Sequence, residues 1–294
     1  MFNQYHIHAK RINKFFCKAS LGNPRRRFLN LFFVFWLLML AILFVSGGYS
    51  KNQDPKLISG FEAKIFDVKL GESLPYRLLR PVPDDLQSNQ KFPAILFLHG
   101  SGERGSDNGK QLNYIAQIFD DPAMRQKYPC FVIAPQCPTN QNWVVKESYS
   151  GSVLQSAEPT KPLGETMELI HALSKDLPID SGRMYVIGIS SGGSGVWDLL
   201  ARYPRLFAAA VPFSGSGDDK KAYLMVKTPI WAFHGGRDIL VNPNTTRMMI
   251  QAIRKAGGDP RYTEYPNLFH NTWNKTFHDP AFFQWLFAQK QVEN

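Results

Sequence analysis

The sequence predicts an α/β fold, with a mostly parallel, twisted sheet that carries helices on both faces. Apolar stretches that suit strands alternate along the chain with amphipathic stretches that suit helices. Continuous apolar runs such as PAILFLHG (93–100) are typical of strands buried on both faces. Hydrophobic residues make up 44% of the 294, so the chain can bury a large core.

The N-terminal 56 residues differ from the rest in composition. A basic head at 1–27 is followed at 28–45 by FLNLFFVFWLLMLAILFV, which is apolar except for Asn30. Eighteen helical residues rise about 27 Å, close to the hydrocarbon thickness of a bilayer, so this segment predicts a hydrophobic helix ahead of the fold. The three arginines directly before it predict a cytoplasmic head and an exported remainder.

Two interpretations of this segment stay open. An uninterrupted run at 31–45 is short enough for a signal peptide, and the small residues at 46–48 offer a cleavage site. The long basic region before it favours an uncleaved signal anchor, which would make the membrane a partner. In both cases we expect a polar tether at 46–56 and a catalytic domain at 57–294, either held on the extracytoplasmic side or released as a periplasmic or secreted protein.

The net charge of +10 comes mainly from the head. Seven of the 34 Lys and Arg residues lie within residues 1–50, which contain no Asp or Glu, so 27 basic residues face 24 acidic ones in the rest. Because the body is nearly neutral, the net charge does not support binding of nucleic acid, and we expect no such partner.

Within 57–294 the elements follow one another in a regular order. The predicted strands are FEAKIFDVKL and LPYRLLRPV, expected to be antiparallel, and then PAILFLHG, CFVIAP, RMYVIGI, LFAAAVPFSG, PIWAFHGG and RYTEYP. The predicted helices are Gln111–Phe119, GETMELIHALSKDL, GSGVWDLLARYP, TTRMMIQAIRKAGG and DPAFFQWLFAQK. Residues 138–162 form a long loop, and loops of that length in compact domains are usually functional.

The cysteines and histidines show no metal pattern. Spacings such as C-x-x-C and H-E-x-x-H do not occur, so we expect neither a metal nor another cofactor. Cys130 and Cys137 flank a predicted strand that would hold them roughly 20 Å apart, which argues against a disulfide even in an exporting compartment.

The stretch VIGISSGGSG (186–195) joins a predicted strand to a predicted helix and contains G-x-S-x-G. That context is the one a nucleophile elbow requires, because residues two before and two after the nucleophile must be small. Only Ser190 has glycine on both sides, at 188 and 192. Centring the motif on Ser191 would place Ile189 in a flank, and Ser194 would place Val196 there. We therefore predict Ser190 as the nucleophile.

A serine nucleophile needs a base and an orienting carboxylate, in the chain order Ser, acid, His. His270 follows the last predicted strand and is the preferred base, whereas His278 suits a surface or capping position and His234 comes too early. Asp238 follows the strand PIWAFHG and is the preferred acid, with Asp218 and Asp219 as alternatives.

The oxyanion of an acyl-transfer intermediate needs backbone donors. Ser191 follows the nucleophile, so its N–H is the first expected donor. A second should come from the loop HGSGERGSDNG (99–109), where we favour the N–H of Ser101, with Gly102 as the alternative.

Four blocks of the sequence also resemble a known family. FLHGSGERGSDN, PCFVIAPQCP, MYVIGISSGGSGVWDLLARYPRLFAAAVPFSGSGD and HGGRD are similar to α/β-hydrolase esterases related to polyhydroxybutyrate depolymerases and feruloyl esterases, over about residues 57–290. The resemblance implies a serine esterase with the triad Ser190, Asp238 and His270. Methionine often follows the nucleophile in that group, and Ser191 stands here, which affects the shape of the acyl pocket more than a backbone donor.

Fewer signals point to the substrate. Trp143, in the long loop, could offer an aromatic platform for an acyl or sugar group, although a loop anchor is the simpler interpretation. Glu103 and Arg104 are expected to pair with each other within their loop.

Together these observations predict an exported serine carboxylesterase that acts on a small or polymer-linked ester through an acyl-enzyme. A serine peptidase of the same fold and a catalytically silent binding module are the alternatives. The three filled triad positions argue against the second.

Overall fold

A computed structural model describes residues 60–68, 72–82, 89–145, 148–149 and 152–291. All of them fall within the unit Asp54–Asn294. The basic head, the hydrophobic segment at 28–45 and the tether at 46–56 lie outside the described residues. Among the described ones, no helix is long and apolar enough to cross a membrane.

Ten strands occur in the described part of the chain. They are β1 Phe61–Val68, β2 Glu72–Leu79, β3 Phe92–Leu98, β4 Phe131–Pro135, β5 Ser148–Tyr149, β6 Ser152–Val153, β7 Ile179–Ile189, β8 Ala209–Phe213, β9 Trp231–Gly235 and β10 Arg261–Tyr265. Eight form one sheet in the order β1-β2-β4-β3-β7-β8-β9-β10, while β5 and β6 form a small hairpin.

The large sheet is parallel from β4 to β10, and β1 and β2 extend it in antiparallel fashion, as the sequence predicts. Every residue of β3 is buried, which confirms that its continuous apolar run belongs to a central strand. Because strands β3 and β7 to β10 run in one direction, their carboxyl ends meet at one edge of the sheet. Loops after these strands can therefore combine their side chains in one site.

The helices of the described chain are α1 Ala116–Phe119, α2 Pro122–Lys127, α3 Lys161–Asp176, α4 Ser191–Arg202, α5 Pro243–Lys255, α6 Trp273–Phe277 and α7 Pro280–Ala288. They cover both faces of the sheet, with apolar side chains of α3, α4 and α5 in one core cluster and those of α1, α6 and α7 in the other. Alternate residues of β3 contribute to the two clusters: Leu96 belongs to the first and Phe97 to the second. The architecture is the α/β-hydrolase fold.

Local differences from the prediction are small. The single helix expected at Gln111–Phe119 is instead a 3₁₀ turn, Lys110–Leu112, followed by the short α1. Ile115 N–H donates to Leu112 O at 3.0 Å, an i→i+3 bond that interrupts the α-helical pattern between them. The unpredicted α2 has a clear local cause, because the Asp121 carboxylate accepts from Met124 N–H and Pro122 stands in the first turn.

Cys130 and Cys137 are both free and buried, at either end of the strand that separates them. Burial raises the pKa of each thiol to about 12, so neither is a ready thiolate.

Candidate active site

The turn between β7 and α4 brings Ser190 to the carboxyl edge of the sheet. Ser190 has φ 55° and ψ −117°, a left-handed backbone conformation that a non-glycine residue rarely adopts. Its N–H donates to Phe213 O of β8 at 2.9 Å, which fixes the turn against the neighbouring strand. The strained conformation is the one expected of a nucleophile elbow.

Two glycines make this turn possible. A Cβ at Gly188 would lie 2.2 Å from Gly192 O, so the two flanking positions approach each other closely. A Cβ at Gly192 would lie 2.0 Å from Leu98 O, at the end of β3. The spacing that selected Ser190 in the sequence therefore reflects steric contact on both sides of the turn.

Ser190, His270 and Asp238 form a continuous chain of hydrogen bonds. His270 Nε2 lies 2.8 Å from Ser190 Oγ, and His270 Nδ1 lies 2.6 Å from Asp238 Oδ2. A carboxylate can only accept, so Nδ1 carries the ring proton and Nε2 is left free to accept from the serine. The His270 side chain is 16% exposed and that of Asp238 is fully buried, so His270 lies nearer the solvent and Asp238 contacts it from inside the fold.

The Asp238 carboxylate is saturated with donors. Oδ1 accepts from the N–H groups of Leu240 and Val241, at 2.8 and 3.0 Å. Oδ2 receives His270 and also His234 Nε2, at 3.1 Å. Burial by itself would raise the pKa of Asp238, but the hydrogen bonds from His234, His270 and Val241 outweigh it and hold that pKa well below its usual range.

Of the alternative acids, Asp218 is engaged elsewhere, and Asp219 is the first residue of a 3₁₀ helix. Asp218 Oδ1 caps the 3₁₀ helix Asp219–Met225 by accepting from Lys220 N–H, and Oδ2 accepts from Gln155 N–H. Among the histidines, His278 is exposed beside Asn274 O at the end of α6, as expected of a capping residue.

Two residues that the sequence analysis did not assign to the site support it. His234 is fully buried between Asp238 and α5, and only its position at a strand end could have drawn attention to it. Ser214, also buried and with φ 47°, donates from Oγ to His270 O at 3.0 Å and so holds the backbone of the base. No short sequence motif predicts either contact. Ser214 and His270 are far apart in the sequence, and His234 meets Asp238 only because the loop after β9 folds back.

The loop after β3 is anchored by the buried His99. Its Nε2 accepts from Cys137 N–H at 2.9 Å, so Nδ1 is the protonated nitrogen and donates to Gly100 O at 2.7 Å. Burial lowers the pKa of His99 to about 4, which keeps the ring neutral near pH 7. Trp143 Nε1–H donates to His99 O at 2.9 Å, which adds a second anchor.

The two predicted oxyanion donors occupy suitable positions. Ser191 is the first residue of α4, and Ser101 is the first residue of the 3₁₀ turn Ser101–Glu103, so neither N–H has an acceptor within its own helix. A Cβ at Gly100 would lie 3.5 Å from Ser190 Cβ, which shows that this loop runs directly beside the nucleophile. The donors remain predictions, because their direction toward an intermediate depends on a bound substrate.

The expected pairing of Glu103 with Arg104 is wrong. Arg104 instead donates to Ser101 O, Gln141 O and Asn142 Oδ1. It therefore connects the loop at 99–109 to the start of the long loop at 138–162. The Glu103 carboxyl turns inward, where Oε2 would lie 2.9 Å from a Cβ at Gly100. Burial raises the pKa of Glu103, although the N–H groups of Gly100 and Glu103 donate to it.

The prediction of Trp143 as a substrate platform also needs correction. Trp143 is 1% exposed, its ring packs edge-on against His99 at 5.1 Å, and its N–H is already used. A platform for a substrate requires an accessible ring face, so the simpler interpretation, an anchor of the loop, fits its position.

The described parts of the long loop at 138–162 are tied to α4. Arg202 pairs with Asp198 and donates to the carbonyls of Ser156, Ala157 and Glu158. Gln155 Nε2 donates to Asp198 O. Within the described ranges no cluster of three or more His, Cys, Asp and Glu residues could hold a metal ion.

Three similarities to known proteins bear on the chemistry. The model of the Dienelactone hydrolase family matches residues 147–279, less than half of the chain. A thermostable esterase of known crystal structure is 35% identical, with a TM-score of 0.74, over 80% of this chain and 64% of that one, so the chain spans under two thirds of its length. A "Probable carboxylesterase SOBER1-like" from Arabidopsis thaliana is 26% identical over 62% of this chain and 73% of that protein.

A further solved structure, a ferulic acid esterase, has a TM-score of 0.57 at 15% identity over 77% of this chain and 97% of that one. At that identity it supports the fold alone. The chain therefore has the α/β-hydrolase fold and is similar to a thermostable esterase and to a probable carboxylesterase.

Proposed function

We propose that this domain hydrolyses esters through an acyl-enzyme on Ser190. His270 Nε2 takes the proton of Ser190 Oγ while the oxygen attacks the ester carbonyl, and the protonated ring then delivers that proton to the leaving alcohol. Asp238 holds the ring and stabilises its positive charge. Water, activated by the same histidine, then attacks the acyl-enzyme and releases the acid.

The observation that carries this proposal is the unbroken chain from Ser190 Oγ through His270 to Asp238, with 2.8 and 2.6 Å steps. The N–H groups of Ser191 and Ser101 would hold the oxyanion, and removing one such donor typically costs about 100–1,000-fold in rate. Large apolar side chains are exposed next to two triad members: Ile239 and Leu240 follow Asp238, and Phe269 precedes His270. They favour an ester with an apolar group.

Replacement of the nucleophile tests the proposal. Ser190→Ala should lower kcat on p-nitrophenyl acetate by at least about 10,000-fold and abolish labelling by a fluorophosphonate probe, because among the described residues no other hydroxyl meets His270 Nε2. Ser174→Ala is the matched control, since its hydroxyl meets only Ile170 O within α3, and it should stay within about threefold of the unmodified enzyme. Full activity in Ser190→Ala would refute the mechanism, and cleavage of peptide amides but not esters would favour a peptidase.

We further propose that the catalytic domain works outside the cytoplasm, attached through residues 28–45 or released after cleavage near residue 48. Support comes from the apolar run and the arginines before it. N-terminal sequencing of the protein recovered from the exported fraction distinguishes the two forms. Recovery in the cytoplasm alone would contradict export.

A further inference from the structure

His234 contacts the same oxygen of Asp238 as His270 does. It is the fourth residue of β9, it has no exposed area, and its Nε2 lies 3.1 Å from Asp238 Oδ2. The same nitrogen lies 3.0 Å from Val241 O. Neither triad chemistry nor the oxyanion donors use this residue.

The protons on this side can be assigned from the partners. The Val241 carbonyl and the Asp238 carboxylate are both acceptors, so Nε2 must carry a hydrogen and donate it to them. Nδ1 lies 2.8 Å from Thr246 Oγ1 on α5, and that hydroxyl also lies 3.1 Å from Gly215 O. The ring of His234 is therefore held at both nitrogens, between the loop that contains Asp238 and helix α5.

The arrangement matters because the two oxygens of Asp238 are held differently. Oδ1 has two rigid backbone donors, whereas the donors to Oδ2 within the described part of the chain are the two histidines. In the proposed mechanism His270 gains and loses a proton in each turnover, so its charge and its hydrogen bonds change. His234, packed inside the fold, is the constant partner of Oδ2.

We propose that His234 is a positioning residue for the catalytic reaction: its Nε2–H holds Asp238 Oδ2 in line with His270 Nδ1. This inference rests on the proposed function of the triad. The residue does not touch the reacting atoms; it acts through the carboxylate.

Two substitutions at this position separate the hydrogen bond from the bulk of the ring. His234→Phe fills the space and removes the donor, and we expect kcat on p-nitrophenyl acetate to fall about 10–100-fold with KM within about threefold, the range typical when a partner that orients a functional group is lost. His234→Gln can place an amide N–H near the position of Nε2 and should recover most of that loss. Thr246→Val removes the support of the ring and should lose less than His234→Phe.

The pH profile gives a readout that a purely structural role would not change. A less well aligned carboxylate stabilises the protonated base less, so the acidic limb of kcat/KM in His234→Phe should move to lower pH. His278→Phe changes an exposed histidine outside the site and is the matched control, with an unchanged limb and kcat. Thermal midpoints of all variants show whether each one is folded.

The outcomes are distinguishable. An unchanged kcat in folded His234→Phe, an unshifted acidic limb, or a His234→Gln variant as slow as His234→Phe would overturn the inference. If His234→Phe does not fold, the kcat and the acidic limb of His234→Gln and Thr246→Val provide the test. A Thr246→Val variant that behaves like His278→Phe in both measurements would then overturn the inference. Failure of the unmodified enzyme to react with a fluorophosphonate at Ser190 would instead overturn the proposed function.

Discussion

Ser190 and Asp238 lie on opposite sides of His270, and the chain holds them by different interactions. On the serine side the determinants are steric: the positive φ of Ser190, two flanking glycines and backbone atoms of β3 and α4 that approach these glycines closely. On the acid side they are polar: two histidines and two backbone N–H groups meet one buried carboxylate.

This difference has a physical reason. In the proposed mechanism the serine must project from the fold and needs only a rigid backbone behind it, whereas the acid must stay ionised while it is buried. A buried charge is tolerated only when it is fully hydrogen-bonded, so the acid side requires several side chains from separate loops. The two sides should therefore respond to substitution differently.

The largest effect is expected on the polar side, from Asp238→Asn. The amide oxygen would face the two backbone donors at Leu240 and Val241, which leaves the NH₂ group opposite His270 Nδ1. That contact forces the proton of His270 onto Nε2, where it can no longer accept from Ser190, and kcat should fall by about 1,000–10,000-fold. Steady-state kinetics on p-nitrophenyl acetate measures the loss.

Asp218→Asn is the control for this variant, because asparagine also caps helices and Asp218 stands outside the hydrogen-bond chain. Its kcat should remain within about threefold of the unmodified enzyme. An equal loss in both variants would mean that Asp238 has no special role.

On the steric side, Gly192→Ala should be the informative change. The new methyl would meet Leu98 O at 2.0 Å, so the turn at Ser190 must move away from the end of β3 and from the loop at 99–109 that follows it. We expect an activity loss of about 100-fold or more, together with a free energy of unfolding lower by about 1–3 kcal/mol. Urea denaturation and esterase assays on the same samples test both.

Gly164→Ala provides the matched glycine control. Gly164 lies in α3, where a Cβ would meet only Pro159 Cγ at 3.7 Å, so alanine should be neutral or stabilise the helix by up to about 1 kcal/mol. If Gly192→Ala behaved like Gly164→Ala, close packing would not be what the elbow requires.

A smaller effect, on stability and not on activity, is expected at His99, which is both closely packed and hydrogen-bonded. The pKa of about 4 in the folded chain is below the unfolded value of about 6.5, so the unfolded chain binds more protons between those values. Stability from this residue is therefore complete above about pH 6.5 and is lost as the pH falls toward 4. His99→Gln should show a shallower decline of thermal midpoint over this interval.

The exposed His278 provides the control. His278→Gln should leave the slope of the thermal midpoint against pH as it is in the unmodified protein. A parallel slope in all three proteins would show that His99 is not held neutral by burial.

How far the site could be predicted depends on how local each determinant is. The elbow was predictable because its rule involves residues within five positions, and the order of Ser190, Asp238 and His270 follows from the order of the strands. Trp143 and Glu103 were harder, since a loop residue can point outward or inward without any change in its sequence neighbours. Ser214 supports the backbone of His270 across 56 residues, which no local pattern records.

By itself, the sequence determined the alternation of strands and helices, the turn at Ser190 and the side chains able to serve as base and acid, because periodicity and steric limits act between near neighbours. Only the tertiary structure decided that His234 meets Asp238, that Arg104 leaves Glu103 for the long loop, and that Trp143 is buried. Those outcomes depend on which buried polar groups must share partners once the loops are packed, and that competition is settled by the whole fold.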